Sequence, residues 1–192
     1  CRRPDVDRQT HAAAWALKDA CYAAWHTQPS RAREAADQLA TLAAAAAEPL
    51  LQALAAWTAG IAALSEGRLA EALQGLREAS AAFTVLGDLQ HAAEAQVPQM
   101  VALSMLGRDA EAQACAEAAL ARFEATGDAR AAGKIEINLG TMLSRQDRHA
   151  EAGALFRRAA VRCARVGDPE LSIMADVALA NTLTWQFRFD EA

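Results

Sequence analysis

Three short strings recur at a fixed interval: Leu86-Gly87-Asp88, Thr126-Gly127-Asp128 and Val166-Gly167-Asp168 stand forty residues apart each time. A second mark keeps the same step, GRLAEA from Gly67, GRDAEA from Gly107, DRHAEA from Asp147 and FRFDEA from Phe187. A fixed period of this length means a stack of one repeated supersecondary unit. Each mark has a stereochemical meaning. Glycine enters the left-handed conformation that closes a helix, and aspartate accepts hydrogen bonds from the unpaired amides that open the next. In VGDPE the pattern extends to Pro169 at the first helical position and Glu170 at the positive end of the helix dipole.

Between the marks lie segments with apolar residues three and four apart, so each period is expected to hold two antiparallel helices. The spacing predicts helices over 6–26, 30–47, 49–66, 69–86, 89–106, 109–126, 129–146, 149–166 and 169–186, with a tenth opening near 189. Composition agrees: alanine makes up about a quarter of the chain, with only five prolines and one tyrosine. The fold class is all-α.

Acidic and basic residues are interspersed, with a net charge of -5, so no basic footprint for nucleic acid is expected. Cys1, Cys21, Cys115 and Cys163 lie far apart, with no CxxC pair and no histidine at ligand spacing, which points to neither a disulfide framework nor a metal site, and to a reducing cytoplasm. The most apolar stretch, 39–57, is dominated by alanine and broken by Glu48, Pro49 and Gln52, so it reads as two helices meeting at a turn and not as a membrane span.

With the period, Gly60 with Ala72, Leu76 and Ala79, and Gly140 with Ala152, Phe156 and Ala159, the chain resembles the tetratricopeptide repeat family in its roughly forty-residue bacterial regulatory form. INLGTML, from Ile137 to Leu143, is the segment most like the family pattern, while the middle repeat departs from it with Met100 at a small position and Ala116 at a large one. The resemblance implies a right-handed superhelix of antiparallel helix pairs in about four and a half repeats: a divergent first repeat or cap over 1–52, repeats over 53–92, 93–132 and 133–172, and a truncated repeat over 173–192. Ala79, Ala119 and Ala159 are expected to be buried, because small residues let paired helices approach.

The resemblance also implies a concave groove lined by the first helix of each pair. Its positions fall on Leu54, Trp57, Ile61 and Leu64, then Glu94, Val97, Val101, Ser104 and Met105, then Lys134, Ile137, Thr141, Ser144 and Arg145, and last Met174, Val177, Asn181, Thr184 and Trp185. The groove should be apolar toward the N-terminal half and polar toward the C-terminal half. Two readings of Trp57, Ile61 and Val101 stay open, an exposed apolar groove that takes a partner helix or a core in a shifted register, and exposure separates them. Trp57, Val97 and Ile137 stand where a carboxylate clamp of the family would need lysine, while Lys134, Asn138 and Arg145 are candidates to hold one anionic group. Pro98, inside the helix over 89–106, is expected to bend it or leave a free carbonyl in the groove.

No HExxH, GxSxG or Cys-His pair occurs, and every glycine has a helix end or a close helix contact to explain it, so no catalytic constellation and no cofactor are expected. The functional expectation is a protein-interaction or regulatory module of a larger bacterial signalling protein, binding a peptide or helix in its groove and acting on an output domain of the same protein. The alternatives are a sensor for a peptide or small molecule near Asn138, Thr141 and Asn181, and a homo-oligomerisation module. With the chain ending inside the opening of a helix, Leu179 and Leu183 are expected to be left uncovered.

Overall fold

A computed structural model describes residues 8–185, and within them the chain forms nine α-helices and no strand. In order these are α1 (Arg8–Ala24), α2 (Pro29–Ala46), α3 (Pro49–Ser65), α4 (Leu69–Val85), α5 (Leu89–Met105), α6 (Asp109–Thr126), α7 (Ala129–Arg145), α8 (His149–Arg165) and α9 (Pro169–Trp185). The last mark, 187–192, and Cys1 lie outside the described residues.

The marks work as their stereochemistry requires. Gly87 has φ +78° and leaves open space where a Cβ would stand, so the left-handed turn there needs only a residue without one. The amide of Asp88 donates to the carbonyl of Phe83 at 2.9 Å and that of Gly87 to Thr84 at 3.1 Å, the paired bonds that satisfy the last carbonyls of a helix. The bond made by the Asp88 amide recurs from the amides of Arg68, Arg108, Asp128, Arg148 and Asp168, at 2.9 to 3.1 Å. The carbonyl of each of these residues then accepts the first bond of the following helix, so one residue closes one helix and opens the next.

Two kinds of residue alternate in that position. Asp88, Asp128 and Asp168 accept from the amides of His91, Ala131 and Leu171 at 3.1, 2.9 and 3.0 Å. Arg68, Arg108 and Arg148 cannot accept; each instead pairs with a glutamate three residues on, Glu71, Glu111 and Glu151. This explains the GRxAEA mark: its arginine and glutamate form a pair across the first helical turn. Earlier in the chain proline does this work, with Pro29 and Pro49 opening α2 and α3.

The contacts divide the chain into two compact units, 1–115 and 116–192. In the first, each of α1 to α5 packs on its neighbour in sequence, and α3 also meets α1 and α5. In the second, α8 packs between α7 and α9, which also meet each other. Both are all-α and repeat-like, because a short turn sends each helix back along the one before it.

Close approach rests on small residues. Ala72, Leu76, Ala79, Ala112, Ala116, Ala119, Ala152 and Ala159 are fully buried and Phe156 nearly so. A Cβ on Gly140 would lie 2.7 Å from the Phe156 ring, and one on Gly60 2.7 Å from Leu76, so the expected small-against-large pairs are in contact. Met100 is buried too, at the looser position of the middle repeat. α5 runs unbroken through Pro98, which is itself buried.

Glu136, on α7, is a fully buried carboxylate that accepts from two arginines of α8: Arg158 Nη2 at 2.7 Å, and Arg162 Nε and Nη2 at 3.1 Å each. The charge is tolerated because it is paired at close range by both.

Candidate functional site

The expected groove positions fall into two groups. In the first unit the apolar ones are not an open surface. Leu54, Trp57, Ile61, Leu64 and Val97 are all buried, and Val101 is half-buried. The core reading of Trp57 and Ile61 is therefore the one the structure adopts, and Trp57 carries no partner-binding surface.

What covers Trp57 is α1. Lys18 holds its ammonium 4.8 Å from the centre of the Trp57 ring, and also 5.5 Å from Trp15 and 5.8 Å from Tyr22. Tyr22 meets Trp57 edge-on at 6.4 Å, and Phe83 does so at 5.6 Å. His91 is gripped by Asp88 through both its amide and its ring Nδ1, and lies against Trp15 at 4.4 Å. At the other end of α1, His11 Nε2 reaches the Glu48 carboxylate at 2.8 Å. The inner face of this unit is thus filled by its own first helix. The first repeat lacks the glycine-aspartate marks, so nothing in the sequence aligned Trp15, Lys18 and Tyr22 with the groove.

In the second unit Ile137 is also buried, but the polar positions beyond it open into a cleft. Thr141, Ser144 and Arg145 from α7 face Asn181 and Trp185 from α9 across a cavity of about 390 Å³, floored by Phe156, Ala178 and Thr182. Trp185 is 70 % exposed and lies parallel to the His149 ring, centres 6.4 Å apart. Lys134 and Asn138 are half-buried and do not line the cleft. Lys134 and Arg145, eleven residues apart on one helix, are separated by about 16 Å of helix rise, and Arg145 alone of the three lines the cleft. Among the groove residues of the first unit, Met105 is exposed.

Asp147 and His149 complete the rim and were not among the expected site residues. Their signal was in the sequence: the third mark begins with Asp147 where the first two have glycine. Asp147 takes φ +59°, the left-handed region that costs a residue with a Cβ, and so brings a carboxylate to the cleft edge. His149 Nε2 lies 3.6 Å from Asp147 Oδ1, and its Nδ1 3.4 Å from Ser144 Oγ. The Asp147 side chain is 96 % exposed. The arrangement offers donors, acceptors and an aromatic face to a bound group.

The three thiols among the described residues are held in their protonated form. Burial pushes Cys21 up to about 12 and Cys115 to about 11, and Cys163 is raised by burial as well. Among the described residues no three histidine, cysteine or acidic side chains gather where a metal ion would bind, and no helix is long and apolar enough to cross a membrane.

The expectation that Leu179 and Leu183 are uncovered is corrected. Leu183 is buried and Leu179 half-buried. A Cβ on Gly153 would meet Leu179 and Thr182 at 3.8 Å, which places this face of α9 against α8. The exposed apolar side chains of α9 are Ile173, Met174 and Val177, besides Trp185.

No known family profile matches the chain, and no curated protein sequence matches it. Solved structures do: among 36 matching chains is that of BtubC (BKLC) from P. vanneervenii, with a TM-score of 0.69 at 18 % identity, covering 98 % of this chain and 87 % of that one. The likeness is one of fold.

Proposed function

We propose that this chain is a protein-interaction module of the tetratricopeptide type that takes a short peptide segment in the cleft between α7 and α9. The observation that carries the reading is the convergence of Thr141, Ser144, Arg145 and Asn181 on a cleft walled by the exposed Trp185 ring. An exposed tryptophan beside polar groups has the composition of a binding hot spot. The Asn181 amide can donate to and accept from a peptide backbone, Arg145 can pair with a carboxylate, and the tryptophan face can cover an apolar side chain. The filled inner face of the first unit supports placing recognition in the second.

The test is a selection of peptides from a displayed library against the whole chain, followed by fluorescence anisotropy of the winners. Trp185→Ala and Asn181→Ala are each expected to weaken binding at least roughly tenfold with unchanged helicity. Selected peptides that bind the double variant as well as they bind the parent would refute the reading. A small-molecule sensor is the second reading, favoured by a volume within the roughly 300–1,000 Å³ range of small-ligand sites; it predicts ligand-induced Trp185 fluorescence changes without any selected peptide.

A further inference from the structure

Outside that cleft, charge is distributed unevenly. In a chain of net charge -5, α8 carries four arginines against one acid, Glu151. All four, Arg157, Arg158, Arg162 and Arg165, line a cavity of about 550 Å³ whose other walls are Val161 and Ala129. Among the described residues no acidic side chain lines it.

The charges in it are not equally spent. Arg162 is held by Glu124 at 2.7 Å and by Glu136, and Arg158 by Glu136 at 2.7 Å and Glu124 at 3.5 Å. Those carboxylates fix the two guanidinium groups from outside the lining. Arg158 still has half of its side chain exposed, and Arg165 makes no hydrogen bond or ion pair among the described residues. Val161, between them on the same helix, is 54 % exposed, an apolar surface surrounded by cationic forks.

We propose that this cavity binds a dianionic phosphate monoester carried on a small organic molecule, with Arg165 and Arg158 gripping the phosphate and Val161 covering the organic part. A guanidinium presents paired donors that match phosphate oxygens, and several of them turned to one concavity raise the local concentration of an anion. The volume falls within the small-ligand range and exceeds what a bare phosphate would fill. Glu124 and Glu136 act as positioning residues, and their negative charge sets the affinity from behind.

The test is calorimetric titration of the whole chain with phenyl phosphate, benzoate and inorganic phosphate at constant ionic strength. Saturable binding of phenyl phosphate is expected, with benzoate and inorganic phosphate each at least roughly tenfold weaker. Arg165→Ala should weaken phenyl phosphate about tenfold, while Arg31→Ala, on α2 of the other unit, should leave it unchanged. Glu124→Gln should tighten it, since it removes a competing negative charge from an exposed site; a purely structural role for the arginines would not produce that gain. The proposal is overturned if phenyl phosphate does not saturate, if benzoate or inorganic phosphate binds equally well, or if Arg31→Ala and Arg165→Ala have the same effect. None of these outcomes depends on the peptide cleft, whose residues are untouched.

Discussion

Gly140→Ala sets two physical effects against each other at one atom. Gly140 lies inside α7, where replacing glycine by alanine ordinarily gains about 0.8–1.0 kcal/mol through backbone entropy and helix propensity. Here the added Cβ would lie 2.7, 2.9 and 3.0 Å from three carbons of the Phe156 ring, the nearest about 0.8 Å inside ordinary carbon–carbon contact. Phe156 is 2 % exposed on the facing helix, so it cannot swing into solvent. Overpacking of this kind costs about 1–3 kcal/mol, so the clash should win and leave a net loss of about 1 kcal/mol. Urea denaturation followed by circular dichroism should show a lower midpoint with an unchanged slope. In the Phe156→Leu background, which removes the ring, the same change should become neutral or stabilising. The reasoning is refuted if Gly140→Ala raises the midpoint in the parent, or if the two changes are additive. Gly87→Ala is the contrasting case: no atom lies within 4 Å of its Cβ position, so its loss comes from the left-handed backbone alone and Phe156→Leu should not alter it.

Trp57→Ala should cost about 3–5 kcal/mol of stability, as expected for truncating a fully buried aromatic, and thermal melts will read it as unfolding rather than as lost binding. Trp57→Phe should be far milder, because the indole Nε1 it removes is buried without an acceptor. Glu66 is held well below the usual carboxylate range, to about 2, by its hydrogen bond from Arg33 and then by Arg68. Its folded-state value is depressed, so its contribution is present above the ordinary carboxyl value and is lost as pH falls from about 4.5 toward about 2. Melting temperatures across that window should fall more steeply for the parent than for Glu66→Gln, and added salt should shrink the difference because the pair is near the surface.

The helices were legible to within about two residues because their ends are written in local chemistry: the glycine that turns, the aspartate that accepts, the proline that starts. Ala79, Phe156 and Ala159 could be placed in the core because small and large residues recur at one packing position. The fate of Trp57 could not be read in this way. Whether a residue on the inner face meets water depends on what lies across from it, and the helix that supplies Trp15, Lys18 and Tyr22 belongs to a repeat without marks to set its register. The polar cleft was half legible. Thr141, Arg145, Asn181 and Trp185 were reached through the repeat, while Asp147 and His149 enter through a departure from it, an aspartate in a glycine's conformation. The α8 arginines were lost in a net negative chain of interspersed charges, since four like charges on one helix show as a cluster only after the helix is folded and packed.

The residues at 68, 88, 108, 128, 148 and 168 have a dual role with a consequence for motion. Each donates its amide to the helix behind and lends its carbonyl to the helix ahead. Such a joint has no slack. An ordinary helix end frays alone, but here fraying one end removes the anchor of the next, so adjacent helices should open together. The amides of these six residues should then resist exchange with solvent as helix interiors do, whereas the turn between α2 and α3, where no such bond is made by the Glu48 amide, has no joint of this kind.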